Sequence, residues 1–373
     1  MPPIQLLIKP ASGACNMRCK YCFYADEMKH RETSVHPCMT RETLEILVKK
    51  TLETATERCL FGFQGGEPTL AGLPFYQELD ALVKKYNTRN LQVSYTLQTN
   101  GYVIDDEWAR FFAEHHYLIG LSLDGPKNIH DRYRVDAAGN GTFDRVMQAA
   151  ELFEKHGVEF NILCVITGQT AKNIPNIYNF YKKRGLDYQQ YIPCLDPIGE
   201  ECGRNPYSLS SAQYGAFLRQ LFDLWYRDLL DGHYHYNRTF ENWVAIARGY
   251  RPESCGMVGE CLPQLVVEAD GTVYPCDFYA MDGYEIGNIK TDSFAEIEQH
   301  RRALGFIECS RYIDEACRSC RWLKLCRGGC RRNREPFVDG RPALNCFCGA
   351  YKSFFNYAGD RIFALARGEN LKK

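Results

Sequence analysis

The chain has no run of about 18 consecutive apolar residues, so a membrane-spanning helix is not expected. It has almost no net charge: 45 Lys and Arg stand against 46 Asp and Glu. That excludes the global basic field that draws a protein onto nucleic acid or anionic lipid, so neither is expected as a partner, and any macromolecular partner must be recognised locally. Internal repeats and low-complexity tracts are missing, and with 45% hydrophobic and 24% charged residues the composition is wrong for a disordered protein. The start, MPPIQLLIKPAS, lacks the charged opening and long apolar region of a secretory signal, so a cytoplasmic location is expected. At 373 residues the chain exceeds the size at which one core keeps growing, which predicts a large domain plus a smaller one.

What the chain does have is cysteine, 18 residues in all. The proportion is too low for a small disulfide scaffold, and cysteines in a cytoplasmic chain point to thiolates used for metals.

Six short apolar runs, at 4–8, 59–63, 91–97, 117–123, 158–166 and 188–192, read as strands. Between them lie helical patterns such as Leu44, Leu47, Val48 and Leu52, then Val146, Ala149, Ala150 and Phe153. Strand and helix alternating six times predicts an α/β fold with a parallel sheet, read here as a partial (β/α)6 barrel. The barrel is preferred because unusual residues follow successive strands: CNMRCKYC, QGGEP, QTNG and LDGP, where barrels keep their chemistry. Residues 210–248 look helical, and from about 255 the sequence becomes Cys-dense, with a β-hairpin turning at Asp270-Gly271. The expected division is 1–235 and 236–373, the second part including the bridging helices.

Cys15, Cys19 and Cys22 form CxxxCxxC in a loop after the first strand. An electron-transfer cluster or structural zinc takes four protein ligands, whereas three thiolates on a four-iron cluster leave one iron open. A zinc loop with a distant fourth ligand is the alternative. Gly65-Gly66-Glu67-Pro68 follows the second strand; its glycines permit close approach of a ligand, and their amides with Glu67 offer a site for an ammonium and a carboxylate.

Together, these two motifs at successive strand ends resemble the radical S-adenosylmethionine (SAM) superfamily over roughly residues 1–235. The resemblance implies that SAM is bound at the open iron. It also implies SAM contacts from Tyr21, Tyr24, Ser122, Asp124, Arg134 and the Leu195 backbone, a structural role being the alternative for each. Cys255, Cys261 and Cys276, then Cys317, Cys320, Cys326 and Cys330, then Cys348 are similar to the twin-cluster SPASM domain. That likeness implies one cluster on Cys255, Cys261, Cys276 and Cys330 and another on Cys317, Cys320, Cys326 and Cys348, three four-iron clusters in total; two zinc sites are the alternative. Cys38, Cys59, Cys164, Cys194, Cys202, Cys309 and Cys346 are left as structural, with Cys346 close enough in sequence to replace Cys348.

A narrower resemblance rests on IQLLIKPASGAC, CFYADE, FQGGEPTLAGL, SYTLQTNG and VVEADGTVYPCDFY. These are similar to anaerobic sulfatase-maturating enzymes over nearly the whole chain. Such enzymes are oxidoreductases that convert one Cys or Ser of a sulfatase, in a Cys/Ser-x-Pro-x-Arg segment, to Cα-formylglycine without oxygen, using a 5′-deoxyadenosyl radical from SAM. The likeness implies Asp277 as the base that takes the thiol or hydroxyl proton, the alternative being a turn aspartate. Gln64 and Gln98 are candidates to grip the substrate peptide. The basic run Arg318, Arg321, Lys324, Arg327, Arg331, Arg332 and Arg334 is either compensation for cluster charge or a docking face for a flavodoxin or ferredoxin donor. Two other readings stand beside this one: a radical SAM maturase that crosslinks a precursor peptide, and an iron-sulfur electron carrier.

Overall fold

The computed structural model describes residues 3–369. They form two compact units, neither of which is a single stretch of chain. The first takes residues through Ser122, Arg134–Phe160 and Pro263–Phe306; the second takes Leu123–Tyr133, Asn161–Leu262 and residues from Ile307 onward.

In the first unit, β1 (Ile4–Lys9), β2 (Arg58–Phe63), β3 (Gln92–Thr99) and β4 (Tyr117–Ser122) pair in sequence order, all parallel. These are four of the strands read from the apolar runs, their ends displaced by only one or two residues. Ile4, Leu6, Ile8, Phe61, Phe63, Leu97, Ile119 and Leu121 are buried and share one face of the sheet, as the two-residue period of a strand requires. Helices α1 (Arg41–Thr54), α2 (Leu73–Tyr86), α3 (Asp106–Glu114) and α4 (Phe143–His156) fall among and after these strands. Thr40 caps α1 by accepting from the Thr43 amide, and Asp105 caps α3 by accepting from Glu107 and Trp108, so both helices start where an orphan amide finds a side-chain oxygen.

The second unit holds most of β5 (Glu159–Ile166), helix α5 (Ile174–Lys183), β6 (Tyr188–Pro193), helix α6 (Ser211–Leu230), the short β7 (Tyr236–Asn237) and helix α7 (Arg238–Ala247). Strands β5, β6 and β7 pair in parallel.

The hairpin predicted around Asp270-Gly271 forms as β8 (Leu265–Glu268) and β9 (Thr272–Tyr274), with Gly271 at φ +96°. Local sequence gave no sign of where it goes. Strand β8 pairs in parallel with β1, placing Leu6 opposite Leu265 and Lys9 opposite Glu268, while β10 (Gly287–Asn288) pairs with β9 and helix α8 (Phe294–Leu304) follows. Residues 263–306 thus extend the sheet that the N-terminus begins.

The chain closes with helix α9 (Cys348–Arg367), packed on α6 and α7 through Phe222, Phe240, Trp243, Phe354 and Phe355. Glycine permits close approach on both sides of α9: a Cβ on Gly215 of α6 would lie 3.2 Å from Ala350, and one on Gly359 would lie 2.6 Å from the Trp322 ring. Among the described residues no helix is long and apolar enough to cross a membrane.

Candidate active site and cluster-binding segments

The loop that leaves β1 turns at Ser12, φ +53°, and carries Cys15, Cys19 and Cys22, all reduced and partly buried. It is held by the turn after β2. The Gly66 amide donates to the Ser12 carbonyl at 3.0 Å, and the Glu67 amide to the Ala14 carbonyl at 2.8 Å. A Cβ on Gly66 would meet the Ala14 oxygen at 2.2 Å, and Gly65 sits at φ +128°, so each position requires glycine. Glu67 is 1% exposed. Its carboxylate accepts from Thr69 Oγ1 at 2.6 Å, Thr99 Oγ1 at 2.8 Å and the Asn100 amide at 2.7 Å. The amides and carboxylate that the sequence offers to a ligand are therefore engaged with protein, and their first effect is to fix the cysteine loop across the ends of β1, β2 and β3.

The thiols suit a metal cluster. Burial pushes Cys15 up to about 11 and raises Cys22, so both stay protonated unless a metal cation displaces the proton. The Asn100 amide group reaches Cys15 Sγ at 3.7 Å, and the Met17 amide at 3.4 Å. Tyr21 and Arg134 lie together beside this loop, the guanidinium 5.5 Å from the ring centroid and close enough for its charge to act on Cys22. Ser122 is half-buried at the end of β4. Asp124 and Leu195 belong to the second unit. There Asp124 accepts from the Val165 amide at 2.9 Å, and Leu195 follows Cys194, whose amide donates to the Ile166 carbonyl.

Asp277 opens the short turn after Cys276 and is 6% exposed. Its two oxygens differ. Oδ2 accepts from Tyr24 Oη at 2.7 Å and from Gln64 Nε2 at 2.8 Å, whereas Oδ1 is buried with no hydrogen-bond partner among the described residues. Burial raises the Asp277 carboxyl above the usual range, opposed by the charge of Lys9 and the Tyr24 hydrogen bond. Tyr24, expected beside the cofactor, thus gives its hydroxyl to Asp277. Gln98 is exposed on β3.

Two further residues complete the cluster and were missed in the sequence. Lys9 Nζ lies 2.8 Å from Glu27 Oε2, both buried, and 4.8 Å from the Tyr24 ring centroid. Glu27 Oε1 accepts from the Ala280 amide at 2.9 Å, which anchors the turn that carries Asp277. The signal was a lysine closing an apolar strand, a charge that needs a partner once the end of β1 is buried.

In the second unit, Cys330 has Cys255 and Cys261 as electrostatic neighbours, and burial pushes it up to about 12. The Cys261 amide donates to Ser310 Oγ at 2.9 Å. Cys276, placed with these three by the sequence, lies in the first unit. Cys317, Cys320, Cys326 and Cys348 line one pocket with Trp322, Tyr351 and Phe355. Among the described residues no group of three or more His, Cys, Asp or Glu is gathered to hold a single metal ion. Cys346 does not line this pocket; it has Cys202 as an electrostatic neighbour. The basic run is not uniform. Arg318, Arg321 and Lys324 are exposed, Arg327 is half-buried, and Arg331, Arg332 and Arg334 are buried. Arg334 donates to the carbonyls of Ser310, Tyr312 and Ala343, and Arg332 to that of Asp196.

Residues 10–181 match the radical SAM superfamily and residues 259–321 match SPASM, an iron-sulfur cluster-binding domain. The chain is 46% identical over 366 residues to a cysteine-type anaerobic sulfatase-maturating enzyme of Clostridium perfringens, covering 98% of this chain and 99% of the relative. A serine-type anaerobic sulfatase-maturating enzyme of Bacteroides thetaiotaomicron is 32% identical, covering 95% and 89%. Among solved structures, native anSMEcpe with bound AdoMet and Cp18Cys peptide superposes with a TM-score of 0.93 at 45% identity, covering 98% of this chain and 99% of that one.

The buried Lys9–Glu27 pair supplies a direct test of how this site is held. Lys9→Met leaves Glu27 without its cation and is expected to lower stability by ~3–5 kcal/mol. Adding Glu27→Gln should recover much of that loss. Chemical denaturation of the single and double variants measures both; a double variant no more stable than Lys9→Met would mean that the pair is not the source of the effect.

Proposed function

The chain belongs to the anaerobic sulfatase-maturating enzymes of the radical SAM superfamily, and from that premise we propose that it oxidises one cysteine of a sulfatase polypeptide to Cα-formylglycine, with Asp277 as the base. Serine in the same Cys/Ser-x-Pro-x-Arg setting is the second substrate; the cysteine-type relatives at 46% identity support cysteine first. The observation that carries the proposal is the division of labour on Asp277. Tyr24 and Gln64 fix Oδ2, and Oδ1 is buried without a partner, an acceptor directed at whatever donor enters.

Cys15, Cys19 and Cys22 would hold the first cluster, three ligands that leave room for SAM to bind beside it. Tyr21, Ser122, Asp124, Arg134 and the Leu195 backbone form its surroundings, and Gly65, Gly66 and Glu67 serve it by fixing the thiol loop. Cys255, Cys261, Cys276 and Cys330 hold a second cluster, Cys317, Cys320, Cys326 and Cys348 a third, within a module spanning 236–373. When bound, SAM on a reduced cluster supplies hydrogen-atom abstraction from the target Cβ, and the auxiliary clusters supply an acceptor for the electron that must leave. The residues of the chain act on the substrate: Gln64 and Gln98 orient the peptide, and Asp277 Oδ1 takes the thiol proton, leaving a thioaldehyde that water hydrolyses to the aldehyde with release of hydrogen sulfide.

Asp277→Asn keeps the shape of the side chain but cannot take the proton. Iron content and reductive SAM cleavage should stay normal while formylglycine formation on a Cys-x-Pro-x-Arg peptide, followed by mass spectrometry, falls ~10²–10⁴-fold. Loss of iron would make Asp277 a support for Cys276, and unchanged turnover would place the base elsewhere.

Three four-iron clusters correspond to about twelve iron atoms per chain. Replacing Cys15, Cys19 and Cys22 together by Ala should remove about a third of that iron and all SAM cleavage. Iron analysis of the reconstituted protein decides it, and zinc in place of iron would sink the cluster assignment.

The exposed Arg318, Arg321 and Lys324, beside the pocket of the third cysteine set, form the docking face for an acidic flavodoxin or ferredoxin. Charge reversal at Arg321 and Lys324 should slow cluster reduction by a flavodoxin but not by dithionite. Equal slowing with both reductants, or with neither, removes the docking role.

A further inference from the structure

Of the motifs at the strand ends, QTNG is the one to which the proposed reaction gives no use beyond Gln98. Strand β3 ends at Thr99, and Asn100 follows it at 8% exposure. The turn is tightly held. The Asn100 backbone amide donates to Glu67 Oε2 at 2.7 Å, and the Gly101 amide donates to Thr99 Oγ1 at 3.0 Å. Gly101 sits at φ +73°, where a Cβ would lie 2.8 Å from Leu121, so the turn cannot drift toward β4.

These contacts also settle which way the Asn100 side chain faces. Its Oδ1 accepts from the Tyr102 amide at 2.9 Å; a backbone N–H can only donate, so Nδ2 must take the other position. There Nδ2 donates to Asn16 Oδ1 at 2.8 Å and to Cys15 Sγ at 3.7 Å. Both of its hydrogens are thus used, one on an amide oxygen and one on a sulfur. Asn16 keeps this orientation although its own Nδ2 is buried with no hydrogen-bond partner among the described residues. The Met17 amide, at 3.4 Å, is a second donor to the same sulfur. All of these groups belong to the first unit.

A hydrogen bond to a sulfur ligand offsets negative charge, and it is worth more to a reduced cluster, which carries one electron more than the oxidised one. We propose that Asn100 is a positioning residue for radical generation: by donating to Cys15 Sγ it raises the reduction potential of the first cluster and eases its reduction by a flavodoxin, a ferredoxin or dithionite. One electron passes from the donor to the cluster, and no bond to Asn100 forms or breaks. The inference rests on the assignment of Cys15, Cys19 and Cys22 to a four-iron cluster.

The test is a potentiometric titration of anaerobic, cluster-loaded, full-length protein, followed by electron paramagnetic resonance. The first cluster is recognised as the one whose signal changes when SAM is added to a parallel sample. Asn100→Ala should keep its full iron and lower the ratio of reduced to oxidised first cluster at a fixed solution potential roughly tenfold, about 59 mV for one electron. The potentials of the auxiliary clusters should not move. Asn100→Asp keeps an oxygen for the Tyr102 amide but has no donor for the sulfur, so it should not restore the wild-type ratio; restoration would make Asn100 a prop for the turn. An unchanged ratio in Asn100→Ala, an equal shift in all clusters, or loss of iron also overturns the proposal. A wild-type protein with no SAM-sensitive signal would instead remove the cluster assignment itself, and this inference with it.

Discussion

The parallel pairing of β8 with β1 is the constraint on which the rest of the site depends. It joins residues about 260 positions apart and places Lys9 level with Glu268. Leu7 packs on the Val266, Tyr274 and Ala280 cluster beneath the hairpin, so apolar burial holds the two segments in register. The turn after β9 then lies against the segment that follows Cys22, where Tyr24, with Gln64 from the end of β2, takes hold of Asp277. Without that pairing, YPCDFY would be a cysteine-containing turn with nothing to act on.

Two buried ion pairs refine what the strand pairing begins. Arg31 meets Glu268 and Lys9 meets Glu27, in each case with both side chains almost wholly buried. Such pairs are weak arguments for stability, because desolvation consumes most of the attraction. What they contribute here is orientation. Apolar replacements would fill the same volume, but Glu27 also receives the Ala280 amide, and no apolar side chain can fix the rotation of the 277–280 turn in that way.

Much of this was legible from sequence because it is local. Strand ends fell within one or two residues of the apolar runs, and the hairpin followed from Asp270-Gly271, since period and turn chemistry are written in neighbouring residues. The spacing of Cys15, Cys19 and Cys22 and the side-by-side Cys276 and Asp277 were equally plain. What escaped is whatever depends on a distant partner. A glycine that admits a ligand and a glycine that admits the Ala14 carbonyl have the same letter, so the clasp role of Gly65-Gly66-Glu67 could not be read. The basic run from 318 to 334 looked uniform, yet Arg332 and Arg334 in its second half are buried with their guanidinium groups on backbone carbonyls. Cys346 and Cys348 alternate as neighbours in sequence, and only the fold separates the one beside Cys202 from the one lining the pocket.

The position of Asp277 explains why so many of these contacts converge on it. A base near reactive intermediates must be held to a fraction of an ångström, yet a buried carboxylate with both oxygens satisfied would have no acceptor left for substrate. Satisfying neither would leave it free to rotate and costly to bury. Holding one oxygen by two donors and leaving the other open resolves the conflict. The donors come from the places that matter: Tyr24 stands two residues beyond Cys22, Gln64 immediately before the glycine clasp, and Asp277 itself one residue beyond Cys276. Any shift of the thiol loop is therefore passed on to Asp277, so in the proposed reaction hydrogen abstraction and proton removal would be kept in register by these side-chain contacts rather than by a separate alignment step.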